Sequence, residues 1–478
     1  MAVKIDAREA QLFLDDEVIE QSVRVQRVIH QPFRYWGNPV YAPDAPWEGS
    51  GVVYLAGVYI DPADGLWKLW YATLNPPAYP EITYAVCMLT STDGFHWERP
   101  ELDVVRAHDG GWTNIVLDMG QVGGTGSATI LHEPEHGDEP WTLVISSCEA
   151  GTWNYKGYIL RSADGVHWRW ERPMPHGVDH GMHDRCTALR GPDPEFPYVL
   201  LSRGNEDARR WGLVRSAHRV AINPDAADGP PRRVLTPDLE DDPAGQIYHA
   251  YGFRYESTYV GLFQWYWEHD RPWAEMELLT SRDSVTWQRL RPRGPFFSPT
   301  PGGGRVGAYD AARTDTALSP PVRTAAQNEA NSPAPNMETL WFYSWGGPAM
   351  HGDRHLTFGA TIGVAQLRGD GFCSLRARRF PGTVVTRPFT WPGGRLLINA
   401  VGLGGGGNAS LRTAVLREDL SEIGDLGAAD ADPLSRDGVR QEQTWRGDGA
   451  AIERLAGKTV RLRFLMDNTD LYAFRASG

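Results

Sequence analysis

Apolar residues in this chain come in short runs of strand length, each closed by turn-forming residues. Runs at 83–89, 157–160 and 276–279 lead into three segments of one form. These are Ser91-Thr92-Asp93-Gly94-Phe95-His96-Trp97, Ser162-Ala163-Asp164-Gly165-Val166-His167-Trp168 and Ser281-Arg282-Asp283-Ser284-Val285-Thr286-Trp287. The pattern predicts strand, tight turn, strand. Asp bonds its own backbone two residues on, Gly tolerates a positive φ, and Trp re-enters the next strand as a large apolar anchor. The Asp residues are therefore assigned to turn chemistry, and their value is as a ruler.

Asp93 and Asp164 are 71 residues apart, and Asp164 and Asp283 are 119 apart, about two units of 60. A worn copy is expected between the latter two, at Leu213-Val214-Arg215-Ser216-Ala217-His218. A further copy, Gln366-Leu367-Arg368-Gly369-Asp370-Gly371-Phe372, follows a Pro/Ala/Asn-rich insertion at about 319–336. Five units, each with room for four strands, predict an all-β fold, a five-bladed β-propeller. Its blades are expected to start at 51–59, 127–131, 185–190, 247–251 and 307–311. Beyond 373 the repeat stops, and runs at 396–400, 410–416 and 460–465 between Gly-rich turns predict a C-terminal β-sandwich. The expected division is 1–30, N-terminal strands completing the propeller or the sandwich; 31–373, the propeller; and 374–478, the sandwich. Trp391 and Trp445 in the last part are read as core, with a sugar-stacking platform as the alternative.

Composition narrows the partners. The 52 Gly, 35 Pro and 19 Trp suit a turn-rich all-β chain. No apolar run approaches the length of a membrane span. Four Cys, at 87, 148, 186 and 373, are spaced for neither a disulfide framework nor a zinc site. The first nine residues lack an apolar signal core, so a cytoplasmic protein is expected, or a secreted one if a signal has been removed. A net charge of −13 argues against nucleic acid or an anionic membrane and favours an uncharged or cationic small ligand.

Strand alternation then says where chemistry collects. In a four-stranded blade, the residues before the first strand and the loop between the second and third strands meet at one mouth of the channel. That mouth gathers Asp44, Trp47 and Glu48 ahead of blade one, and Trp153 from the second-to-third loop of blade two. His183 and Asp184 precede blade three, and Glu206 follows its second strand. Blade four brings Tyr248, His249, Trp267 and Glu268, and blade five brings Asp310 and His351.

Carboxylates rimmed by tryptophan are what glycosidic hydrolysis needs. One acid protonates the leaving oxygen while a second carboxylate attacks or activates water. Aromatic faces stack on sugar rings, and His, Arg and Asn bond hydroxyls. Glu48 is the candidate nucleophile or base, Asp184 stabilises the developing positive charge, and Glu268 or Asp310 is the acid. Asp44, Trp47, Trp153, His183, Glu206, Tyr248, His249, Trp267 and His351 are candidate substrate-binding residues.

Five blades followed by a β-sandwich resemble glycoside hydrolase family 32, whose propeller is shared with families 43 and 68. Pro46-Trp47-Glu48, the Ser-x-Asp-Gly-x-x-Trp turns and Leu455-Ala456-Gly457-Lys458-Thr459-Val460-Arg461-Leu462-Arg463-Phe464 look like a bacterial glycosyl-hydrolase-like group. The resemblance implies an acidic residue at the start of blade one, which maps to Glu48 or Asp44. It also implies a second Asp that supports the transition state, a Glu acid, and furanosides as substrates. The family 32 signatures Asn-Asp-Pro-Asn-Gly, Arg-Asp-Pro and Glu-Cys have no functional counterpart, and Cys148-Glu149 inverts the last. Fructosyl specificity is therefore not implied. The expected activity is a glycosidase on a small-molecule or oligosaccharide substrate, with no cofactor. Two alternatives stand beside it. One is a metal-dependent or lyase-type sugar enzyme holding a divalent ion at channel histidines and carboxylates. The other is a non-catalytic carbohydrate-binding propeller.

Overall fold

In the computed structural model, the described residues are 5–49, 51–74, 76, 78–122, 124–149, 155–173, 185–195, 197–204, 216–222, 232–267, 274–299, 309–325, 338–347, 360–402 and 409–477. They are all-β, and their helical pieces are short 3-10 turns. No helix among them is long and apolar enough to cross a membrane.

Three antiparallel four-stranded sheets follow one another along the chain. The first runs Val52–Ile60, Trp67–Leu74, Tyr84–Ser91, Ile115–Asp118. The second runs Gly124–His132, Trp141–Glu149, Lys156–Ser162, Arg169–Pro173. The third runs Cys186–Arg190, Tyr198–Gly204, Ser216–Ile222, Arg232–Leu235. Next come Gly245–Tyr255, Thr258–Trp267 and Ala274–Ser281. A single parallel bridge, Ala274 to Arg313, joins these to Arg313–Thr316, Thr339–Gly347 and Thr361–Arg368. The outermost strand of that last set is Phe33–Arg34, from the other end of the chain.

The first strands of these sets touch in chain order, and the last returns to the first. The Tyr59 hydroxyl donates to the Ile130 carbonyl at 2.8 Å, and the Ser127 hydroxyl to Cys186 at 2.6 Å. Thr187 donates to the Ala250 carbonyl at 2.9 Å, and the Tyr251 and Thr316 hydroxyls bond each other. The Leu318 amide donates to the Leu55 carbonyl at 3.0 Å, which closes the circuit.

The turns behave as their chemistry dictates. Asp93 Oδ1 accepts from the amides of Phe95 and His96 at 2.7 and 2.9 Å, and Asp164 Oδ1 from Val166 and His167 at 2.8 and 2.9 Å. Asp283 does the same for Val285 and Thr286, both at 2.7 Å. The next residue is left-handed each time, with φ of 80° at Gly94, 77° at Gly165 and 59° at Ser284. Two of these turns also latch neighbouring sheets. The Trp70 indole donates to the Gly165 carbonyl at 2.9 Å, and the Tyr343 hydroxyl to that of Gly94 at 2.7 Å.

Two register expectations need correction. Ser216, Ala217 and His218 of the worn copy lie inside the strand Ser216–Ile222, with His218 opposite Ser202. Without an Asp-Gly pair nothing there closes a turn, so the segment is a third strand; residues 213–215 lie outside the described ones. Residues 309–311 of the expected fifth start are turn and bend, 307–308 lie outside the described residues, and the first strand of the last set is Arg313–Thr316. Asp310 therefore stands in a turn just ahead of it.

Beyond the repeat, two sheets enclose a second core. One orders Gln26–Ile29, Cys373–Ala377, Thr469–Ala476, Leu396–Gly402 and Gly438–Glu442, with Gln11–Leu12 also on Thr469–Ala476. The other joins Ile19–Val23, Gly382–Thr386, Thr459–Asp467 and Phe389–Thr390, with Ser410–Leu416 also on Thr459–Asp467. Phe13, Phe389, Trp391, Trp445, Phe464 and Phe474 fill the space between them. Trp391 and Trp445 are thus core residues, and the Trp445 indole donates to the Thr413 carbonyl at 2.9 Å.

Candidate functional site

Glu48 ends the 3-10 turn Pro46–Glu48 and is 1% exposed. Its Oε2 accepts from the amides of Asp44 and Ala45 at 2.8 and 2.7 Å, and its Oε1 from the hydroxyls of Tyr41 and Tyr71. Arg99 stands 3.2 Å from Oε2 and also pairs with exposed Asp44. Burial, then the Glu48 charge, push the Tyr41 phenol well above its ordinary range, so it remains a donor. Trp47 is fixed beside this group, its indole donating to Asn114 Oδ1 at 2.8 Å. Every favourable direction at the Glu48 carboxylate is therefore occupied. The hydrogen bonds to the amides of Asp44 and Ala45 and to the two tyrosines anchor the loop that carries Glu48.

Asp310 is fully buried, with Arg34 Nε and Nη2 both 3.2 Å from its Oδ2. The same guanidinium donates to the Ser298 carbonyl at 2.6 Å and lies 3.5 Å over the Phe297 ring. The ion pair fastens the edge strand Phe33–Arg34. A Cβ on Gly346 would fall 2.5 Å from the Asp310 Cβ, so the backbones pack too closely for a side chain. Among the described residues, these hydrogen bonds of Glu48 and of Asp310 form two separate networks. Trp153, His183, Asp184, Glu206, Glu268 and His351 lie outside the described residues.

What the structure does assemble is a buried group on the inner strands. A bulge between Ile247 and His249 breaks the register against Thr258–Trp267 and leaves Tyr248 as the extra residue. Bulges re-aim side chains, and here His249 comes to face Asp315 of Arg313–Thr316. His249 Nε2 and Asp315 Oδ2 are 3.1 Å apart, and neither residue is more than 1% exposed. The contact has hydrogen-bond length without hydrogen-bond alignment. Neither ring nitrogen and neither carboxylate oxygen has an aligned partner among the described residues.

Electrostatics sets the protonation of this pair. Burial, followed by the charges of Arg185 and Arg203, drives the His249 pKa well below 6.5, so the ring is neutral. Burial pushes the Asp315 carboxyl up to about 7, against the opposing pull of Arg185, the Thr316 amide, Trp345 and Arg313. An acid that still holds its proton near pH 7 sits next to a neutral imidazole.

Aromatic rings and guanidiniums surround the pair. Tyr248 packs on Tyr266 at 5.4 Å, with Arg203 and Arg185 at 5.1 and 5.5 Å over its ring. Arg313 lies 4.8 Å over Trp345, and buried Trp267 is 6.0 Å from Trp265. Tyr248 and His249 are thus brought together, whereas Trp267 packs with Trp265 on the opposite face of its strand from Tyr266. Sequence reasoning missed Asp315, Arg185, Arg313, Tyr266 and Trp345. The strand Arg-Thr-Asp-Thr carries Arg313 and Asp315 two apart, on one face. Placing the fifth inner strand at 307–311 selected Asp310 instead.

The donor set gives little support to a metal here. His249 and Asp315 offer two donor atoms, but the positive potential of Arg185 and Arg203 that suppresses imidazolium opposes a divalent cation equally. Glu133, Glu135 and His136 form another cluster of candidate ligands. There Glu133 is held by Arg161 and Arg190, both at 3.0 Å, which balances its charge.

No family model matches the sequence, and no curated protein matches it. Solved structures resemble it in layout. One titled a glycoside hydrolase aligns with a TM-score of 0.45 at 11% identity, covering 71% of this chain and 92% of its own. A GH130 structure, from work on glycoside hydrolases that target β-1,2 mannosidic linkages in Candida mannan, gives 0.44 at 12%, covering 71% and 94%. An N-acetylgalactosamine deacetylase from F. plautii gives 0.42 at 14%, covering 73% and 97%. The likeness is one of layout alone.

Proposed function

We propose that this protein is a glycoside hydrolase, built on a five-bladed β-propeller and a C-terminal β-sandwich. The ring of first strands, closed from Leu318 back to Leu55, supports the blade count. The two sheets around Phe13 and Phe464 support the sandwich. One observation carries the activity: a carboxyl with a pKa near 7, Asp315, paired with neutral His249 where tyrosine and tryptophan faces meet. Aromatic faces and neutral hydrogen-bonding groups suit a sugar ring, and a buried carboxyl that keeps its proton suits a donor that orients the groups above it.

Asp315 and His249 are too deeply buried to meet the scissile bond, so their part is positioning and proton storage beneath it. Asp184, next to Arg185 in the chain, and Glu268, next to Trp267, are the carboxylates proposed for contact with substrate, on sequence position. Their separation would decide the stereochemistry, about 5 Å for retention against roughly 6.5–9.5 Å for inversion.

The test is a panel of aryl glycosides and oligosaccharides, furanosides included, with wild type, Asp184→Asn and Glu268→Gln. Turnover by wild type should fall by about 10²–10⁴-fold in each variant, with melting temperatures unchanged. Full activity in both variants removes these residues from the chemistry. Affinity without turnover across the panel makes the protein a carbohydrate-binding propeller instead.

A further inference from the structure

The whole chain carries −13 charges, yet three arginines gather beside His249 and Asp315. The Arg185, Arg203 and Arg313 guanidiniums converge around Tyr248 and Trp345. Arg313 is the telling member. Among the described residues it makes no ion pair within 4.0 Å and its Nε is buried without a hydrogen-bond partner, although Asp315 lies two residues away on the same strand face. Burial, and then the Arg185 charge, lower its pKa to about 10, so the arginine occupies a site unfavourable to its charge. Packing on Trp345 recovers part of that cost, since an arginine over an indole face is attracted by the ring. Among the described residues it leaves the Arg313 Nε–H without an acceptor, and a guanidinium fork fits an oxyanion.

We propose that the sugar bound here carries an oxyanion, a uronate carboxylate or a phosphate ester, seated against the Arg313 guanidinium beside Arg185. The inference rests on the carbohydrate reading above and supplies its substrate class. It also reverses the expectation of a neutral or cationic ligand drawn from net charge. Net charge governs the field far from the protein, whereas local groups govern the contact.

Calorimetric titration of wild type with glucuronate, galacturonate and glucose 6-phosphate, against glucose and galactose, tests it, with inorganic phosphate alone as a further arm. At least one anionic sugar should bind ten times or more tighter than its neutral counterpart, and the uronate and phosphate arms show which anion it is. Arg313→Gln should abolish the preference and Arg313→Lys should keep part of it. Equal affinity for neutral and anionic sugars in wild type overturns the proposal without any variant. So does a preference undiminished in a folded Arg313→Gln protein. Binding of inorganic phosphate alone, with no anionic sugar bound, places the anion off the sugar and overturns it too. Tight binding of an anionic sugar with no glycoside cleaved preserves this inference and removes the hydrolase reading. Hydrolysis confined to neutral glycosides, with no anionic sugar preferred, does the reverse.

Discussion

Replacing Asp315 with Asn removes one titrating group from the buried cluster around His249 while leaving its shape. In the native protein the carboxyl has moved from 3.8 to about 7, with burial as the main cause. A carboxyl whose folded pKa is raised favours the folded state while protonated. Its contribution is complete below the unfolded pKa and is lost as pH rises through the folded one. The shift is about three units, each worth about 1.4 kcal/mol, so the full swing is about 4 kcal/mol. About 2 kcal/mol of it falls between pH 5 and pH 7, since the group is still half protonated at pH 7. His249 works in the opposite direction, because a buried neutral imidazole contributes stability above 6.5 that fades as pH falls. Because the two side chains touch, that term changes with the substitution too, and the same pair of proteins carrying His249→Gln separates the two contributions. Urea unfolding of wild type and Asp315→Asn, followed by tryptophan fluorescence at several pH values from 4 to 9, gives the difference directly. The variant should gain on wild type steadily from pH 5 to 7 and hold level above about 8. A difference independent of pH, or one in which the variant loses ground as pH rises, refutes the assignment of a protonated buried carboxyl.

Two further substitutions probe parts of the framework. Glu48→Gln puts an amide where at least two buried donors need an acceptor, so unfolding free energy should drop by about 2–4 kcal/mol while the folded protein keeps the proposed glycosidase turnover. An unchanged urea midpoint with lost turnover would restore Glu48 to the chemistry. Gly165→Ala sets a Cβ 2.5 Å from the Trp70 ring at a φ of +77°, whereas Gly137→Ala, at +62°, meets nothing within 4 Å. The first should cost about 2–4 kcal/mol and the second about 1 kcal/mol, both read as shifts in urea midpoint; equal costs would show that Trp70 yields.

The sheets announced by Asp-Gly turns were legible in the sequence because that chemistry is local. An Asp bonding amides two and three residues ahead needs nothing from the rest of the chain. Where the signal is worn, at 213–218, the same residues served as a strand. Phe33–Arg34 is two residues long, carries no periodicity, and pairs with a strand more than three hundred positions away. Asp315 could be found only with the fifth inner strand in register, and a six-residue displacement exchanged it for a neighbour with another purpose. The link between His249 and Asp315 depends on a bulge, which composition and spacing do not encode.

Because Phe33–Arg34 borders Thr361–Arg368, and Gln11–Leu12 borders Thr469–Ala476, the opening forty residues stitch both halves of the molecule. On the ribosome these segments emerge more than three hundred residues before the strands they pair with. A nascent chain must therefore shield bare strand edges over that interval, and neither half can be completed without them.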